Sequence, residues 1–237
     1  MKKIYILFVV FAVLFSSCEK VDEILNNETT LTDAEIAQAL KEALSVGTDT
    51  AVSIVSVVDG YFGDQLIKVD LPPDADKMVA VASILGSEQQ IEELILMINR
   101  SAEDAAPEAI DIFVSAITSM TIVDAINILH GSDSAATHFL RENTYANLYT
   151  TFKPQIETSL NKELVLGASA NSTWLAATST YNTIYASDPV DTDLSTHVTH
   201  KALAGLFVKI ADEEKQIREN PLDRVSDLLK KVFGELD

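Results

Sequence analysis

Leu203-Ala204-Gly205-Leu206-Phe207-Val208-Lys209-Ile210-Ala211-Asp212-Glu213-Glu214-Lys215-Gln216-Ile217-Arg218 is the stretch whose pattern decides the fold. Leu203, Phe207, Ile210 and Ile217 recur at steps of four, three and seven, which brings them to one face of an α-helix. Glu214 falls on that stripe, and Arg218 follows one turn later. A carboxylate on an apolar stripe is partly buried, and a buried charge requires a cation or hydrogen-bond donors. The expectation is a structural ion pair of Glu214 with Arg218, joined by Arg224 from the next helix. The competing expectation is a carboxylate in a cleft, with Arg218 and Arg141 beside it.

Outward from there the pattern stays helical. Asn220-Pro221-Leu222-Asp223 supplies an N-cap, a proline at the first helical position and an acid at the third, ahead of a stripe of Val225, Leu228, Leu229, Val232 and Phe233. No charged residue occurs from Leu164 to Ser187, where Ser, Thr, Asn and Ala abound. A helix there carries Trp174, Leu175, Tyr181, Ile184 and Tyr185 and is expected to be packed on several sides, with its hydroxyls bonded to its own carbonyls. If the domain has a ligand pocket, that helix is the expected wall. Asp133 to Val165 reads as a long helix, bent or broken at Pro154. Its inward face is marked by Tyr145, Tyr149 and Phe152. Thr121 to His130 reads as a short helix, with Asp124 at the capping-box position and Gly131 as its stop.

Further toward the N-terminus, Ser87-Glu88-Gln89-Gln90 opens a helix. Its stripe of Ile91, Ile95, Ile98, Ala102, Ala105, Ala109, Ile112 and Ala116 keeps its period across Pro107. Arg100 shares a face with Glu93, Asp104, Glu108 and Asp111, the pattern of a solvated, self-paired row. A helix is also expected from about Ala75 to Leu85, after an extended run from Leu66 into Pro72-Pro73. Asp59-Gly60 and Gly63-Asp64 are turn signals. Thr32-Asp33-Ala34-Glu35 has capping-box spacing and starts the first helix. The β-branched stretch from Thr48 to Val58 has no partner strand and reads as helix. The fold class is all-α: a multihelical bundle of about seven or eight helices, one domain over residues 31–237.

The N-terminus reads differently. Met1-Lys2-Lys3 precedes an apolar run from Ile4 to Phe15, then Ser16-Ser17-Cys18. A short apolar run behind two lysines is a secretory signal, and it falls short of the roughly 20 residues that a helical span needs. Leu14-Phe15-Ser16-Ser17-Cys18 resembles a bacterial lipobox, with Phe15 in place of the commoner leucine. The resemblance implies a diacylglyceryl group on the Cys18 sulfur and cleavage before it. Residues 1–17 are then the signal and 18–30 the lipidated tether. Cys18 is the sole cysteine, so no intramolecular disulfide competes for it. The expected location is the cell envelope, on the outer membrane or the periplasmic face of a membrane, with the bilayer as partner through the anchor.

The chain carries 36 acidic residues against 17 basic ones. Lys2 and Lys3 would leave with the signal, giving a mature net charge near −21 and disfavouring nucleic acid by long-range repulsion. Common enzyme signatures are missing from the sequence. Gly167-Ala168-Ser169-Ala170-Asn171 lacks the second glycine of a nucleophile elbow, and no Walker loop, dinucleotide fingerprint, EF-hand loop or His-Glu-x-x-His pair occurs. No histidine has a glutamate three residues before it, as di-iron bundles require. Asp193, His197 and His200 share a helical face, but at about 1.5 Å rise per residue the outer two stand roughly 10 Å apart, too far to ligate one zinc ion. No metal site and no cofactor are expected.

Several blocks carry a family resemblance. Lys201-Ala202-Leu203-Ala204-Gly205-Leu206-Phe207, Glu213-Glu214-Lys215-Gln216-Ile217-Arg218 and Asp227-Leu228-Leu229-Lys230-Lys231-Val232-Phe233-Gly234 resemble domain of unknown function 4197. Leu40-Lys41-Glu42-Ala43-Leu44, Asn99-Arg100-Ser101-Ala102-Glu103, Pro107-Glu108-Ala109, Asp124-Ala125 and Ala135-Ala136-Thr137 extend the likeness over most of the mature chain. It implies an exported, helical bacterial protein and brings no activity with it. Ala204 stands where the resemblance implies an aspartate.

Two classes of function follow. One is a non-catalytic envelope lipoprotein that binds a protein or a small apolar ligand through a helical groove. The other is an enzyme whose site is assembled from Glu214, Arg218 and Arg141. Convergence of those three side chains in an accessible pocket separates the two.

Overall fold

In the computed structural model the described residues are 31–76, 78, 88–162, 168–220, 224 and 226–234. They form α1 (Asp33–Val55), α2 (Glu88–Ala105), α3 (Ala109–Ser119), α4 (Ile122–Leu129), α5 (Ala135–Leu160), α6 (Ala170–Ile184), α7 (Leu194–Glu219) and α8 (Asp227–Gly234). No strand occurs among the described residues. Counting α2 and α3 as one helix interrupted at Pro107, or as two, gives the seven or eight expected. The signal, Cys18 and the tether lie outside the described residues, as do most of the expected helix over 75–85 and Pro221-Leu222-Asp223. The last helix begins at Asp227, where the Ser226 hydroxyl accepts from Leu229 N.

The long helices α5 and α7 pack side by side. Against them lie α1, on α7, and α2, on α5, while α1 also carries α3, α4 and α8. The stripe that decides the fold is the centre of this arrangement, with Leu203, Leu206, Phe207, Ile210 and Ile217 all buried. On α1 the β-branched stretch is helical as far as Val55. There Thr48 returns its hydroxyl to Leu44 O at 2.8 Å, and Ala51, Val52 and Val55 are buried. Burial of one face overrides weak helix propensity. Gly60 then folds back so tightly that a Cβ would stand 2.6 Å from the carbonyls of Ile54 and Val55.

The segment from Ser56 to Pro72 is fastened rather than simply extended. Asn99 pairs with the backbone of Val69 in both directions at 2.8 Å, and the buried Glu103 carboxylate accepts from Tyr61 N at 3.1 Å and Phe62 N at 3.3 Å. Tyr61 is fully buried and donates its hydroxyl to Ala202 O at 2.8 Å. Burial, and then the nearby Glu103 charge, push that phenol well above its ordinary range. Gly205 makes the fit possible, because a Cβ there would come within 2.8 Å of the Tyr61 ring.

Three expectations need correction. Arg100 does not join a solvated row on its own helix; it bridges Glu103 (2.6 Å) and Asp59 (2.7 Å), while Asp104 pairs with Lys162. Pro154 does not break α5, which runs on to Leu160 and satisfies Thr158 Oγ1 at Pro154 O. The uncharged helix α6 is not packed on several sides: Trp174 and Thr178 are buried, whereas Leu175, Ile184 and Tyr185 are exposed. Its threonines do bond back to their own carbonyls, as at Thr178, Thr180 and Thr183. That internal satisfaction lets a helix without charges tolerate solvent.

Candidate functional site

Glu214 arrives on the inward face of α7 and is 8% exposed. One carboxylate oxygen accepts from Ala136 N at 3.0 Å and from Arg218 Nε at 3.1 Å, and the ion pair brings Arg218 Nη2 to 3.0 Å of it. The other accepts from Thr137 N and from the Thr137 hydroxyl, both at 2.8 Å. Ala136 and Thr137 are the second and third residues of α5, whose N-cap Ser134 makes no side-chain capping bond. The first N–H groups of a helix lack intrahelical acceptors, and a negative charge there is favoured by the helix dipole. Glu214 is therefore a cap for α5, supplied by a different helix.

Arg218 completes the arrangement from the other side. Its Nη2 donates to Ile128 O at 2.9 Å and its Nη1 to Leu129 O at 3.4 Å, at the C-terminus of α4. The pair thus places its cation on the negative end of α4 and its anion on the positive end of α5, across the turn that joins them. Such a clamp consumes the lone pairs that a general base needs.

Arg224 bonds to the backbone of α7. It is buried and donates to Ile217 O at 3.1 Å and Arg218 O at 2.8 Å, near the end of α7, with its guanidinium 5.7 Å from the Phe233 ring. Arg141 lies with its guanidinium 4.5 Å from the Phe207 ring. The bonds of Glu214 and Arg218 thus run to the facing ends of α5 and α4, while the guanidinium of Arg141 rests on the Phe207 ring.

Beside Glu214 and Arg218 is a cavity of about 30 Å³ walled by Leu40, Leu44, Gly47, Ile210 and Phe233. It has room for a water molecule or a methyl group and lies between α1, α7 and α8, not along α6 where a pocket wall was expected. A Cβ on Gly47 would meet Glu213 Cβ at 3.6 Å and Ile217 Cδ1 at 3.8 Å, ordinary contact distances. Glycine inside a helix costs about 0.5–1 kcal/mol relative to alanine. Gly47→Ala is expected to raise stability by about that amount in denaturant melts. A fall in stability would show that the space is not spare.

Along the outer seam of α5 and α7 lies a polar and aromatic row. Asp193 is the N-cap of α7, accepting from Thr196 N at 3.0 Å. Burial pushes its carboxyl up, but bonds from Ser195, Thr196 and Lys153 outweigh that and hold it well below the usual range. His197 bonds Asp70 O at 3.0 Å, and burial pulls its imidazole down. His200 Nδ1 meets Tyr145 Oη at 2.7 Å. Asp193, His197 and His200 are thus each turned to a separate partner, and among the described residues no three His, Cys, Asp or Glu side chains are placed to hold a metal. Of the expected inward aromatics, Phe152 is fully buried, whereas Tyr145 and Tyr149 are half-buried and belong to this seam. The signal for it was the exact four-residue spacing of Arg141, Tyr145, Tyr149 and Lys153.

A family model described as protein of unknown function (DUF4197) matches residues 30–234. The chain belongs to this family. No curated protein and no solved structure matches it. Membership of the DUF4197 family spans α1 to α8, so the Glu214–Arg218 clamp and the α5–α7 seam both lie inside the shared domain.

Proposed function

We propose that this chain is a lipid-anchored protein of the bacterial cell envelope whose helical domain binds a partner molecule and catalyses nothing. The observation that carries the non-catalytic reading is the state of Glu214: both oxygens are occupied by helix-end N–H groups, a hydroxyl and a guanidinium. A general base needs a lone pair free to take a proton from substrate, and the lone pairs of this carboxylate are taken up by the chain's own donors. The anchor rests on the short apolar run and on Ser16-Ser17-Cys18. Two acyl chains hold a protein to a bilayer stably, where one of myristoyl length does so only marginally.

Cys18→Ser is expected to move the protein from the membrane fraction to the soluble fraction or to leave an uncleaved precursor. Unchanged fractionation together with normal processing would refute the anchor. Mass spectrometry of small molecules that co-purify with the native protein tests the binding role.

A further inference from the structure

The α5–α7 seam is a ladder. Lys153 donates to Asp193 at 3.1 Å and to Thr196 Oγ1 at 2.8 Å. One turn along α5, Tyr149 reaches Thr196 Oγ1 at 3.5 Å and packs its ring 4.9 Å from that of His200. A further turn brings Tyr145 to His200 Nδ1. The helices run antiparallel in this register, and the next turn of α5 carries Arg141 to the Phe207 ring, where the row on α7, one turn on from His200, continues at Ala204. Every earlier rung has a polar group on the α7 side; this one has a methyl group, and Ala204 is exposed.

Arg141 is conspicuous for the same reason. Arg100, Arg218 and Arg224 each donate at least two hydrogen bonds. Arg141 donates none and has no ion pair among the described residues, although acids outnumber bases two to one in this chain. Its guanidinium rests against the ring of the buried Phe207, and Tyr145 lies over the same ring at 6.4 Å. The face of the guanidinium is thereby satisfied while its N–H fork stays open.

We propose that the Arg141–Ala204 rung receives the carboxylate of a small ligand, with Arg141 as a two-pronged donor beside the Tyr145 ring. A planar carboxylate matches the guanidinium fork in geometry and charge. A phosphate dianion also matches, but a domain this acidic repels two negative charges more strongly than one. This deepens the binding reading above and rests on it.

The test is a titration of the full lipidated chain in neutral detergent, following the side-chain Nε–Hε resonance of Arg141 as acetate replaces chloride at constant ionic strength. A saturable shift is expected. Ala204→Asp supplies the missing acceptor from the chain itself and is expected to weaken the acetate response at least tenfold. Arg141→Gln removes the donor, and the tyrosine resonances of the seam should then stop responding. No saturable shift, or an equal one in Ala204→Asp, overturns the proposal; a response to phosphate without one to acetate overturns the carboxylate assignment. If acetate fails while a co-purifying molecule maps elsewhere, this site is refuted and the binding function stands. If acetate fails and nothing co-purifies, both fall.

Discussion

Replacing Glu214 by alanine is expected to lower stability by about 3 to 5 kcal/mol, the cost of breaking a buried ion pair from one side. The change strands Arg218 at 12% side-chain exposure and leaves the first turn of α5 without its cap. Removing an N-cap alone costs about 0.5–2 kcal/mol, so the pair and the cap together place the loss at the top of the range for single substitutions. Glu142→Ala makes a matched control: it deletes the same side chain from the exposed face of α5 and should stay within about 0.5 kcal/mol. Urea melts of the two variants decide the matter. Equal, mild effects would mean that Glu214 holds nothing. A gain in stability would point to strain stored for function.

Glu214→Gln separates the clamp's two duties. An amide can still offer one oxygen to the α5 N–H groups, but its NH₂ cannot accept, and the charge facing Arg218 is gone. A loss between the control and Glu214→Ala is expected. If glutamine matched glutamate, the ion pair would contribute nothing and the cap everything.

Much of this was legible in the sequence, for a physical reason. Glu214 announced itself because a charge interrupting an apolar stripe has few ways to be satisfied, and Arg218 one turn away was within reach. What the sequence could not give was the identity of the donors. Ala136 and Thr137 lie 78 and 77 residues away, and their contribution is backbone N–H, which every residue carries. The same limit explains Arg100. Helical spacing offered Glu93, Asp104, Glu108 and Asp111 as partners, but the helix buries Glu103 instead and turns it toward a loop 42 residues earlier. On α6 the aromatic and aliphatic residues suggested burial from many sides. Those residues lie around the helix rather than on one stripe, so a single contact face buries Trp174 and leaves Leu175 and Ile184 in water. On α5 the sequence pattern groups Tyr145 and Tyr149 with Phe152 as one inward face, and only the contacts across to α7 separate the half-buried row of Arg141, Tyr145, Tyr149 and Lys153 from the buried Phe152.

Glu103 supports the second large effect. It is 4% exposed, accepts from two backbone N–H groups of the 61–62 turn, and pairs with Arg100, which reaches on to Asp59. Asp59 holds a left-handed backbone with φ of 68°, so the turn pays for an unfavoured conformation and depends on its fastenings. Glu103→Ala leaves the buried Tyr61 N–H without its acceptor, a desolvation cost of about 1–3 kcal/mol, and removes the anion that faces Arg100. A total loss of about 3 kcal/mol is expected. Arg100 is one-third exposed and can turn to water, which keeps this below the loss at Glu214. Glu103→Gln keeps an oxygen for Tyr61 N and should recover about half of the loss. Hydrogen exchange separates a local from a global effect: the Tyr61 and Phe62 amides should lose protection in Glu103→Ala by more than the core amides of α5 do. Uniform loss across both would mean that Glu103 supports the whole domain rather than this turn in particular, and no loss at either would leave the 56–72 segment to Tyr61 and Asn99, with Glu103 a bystander.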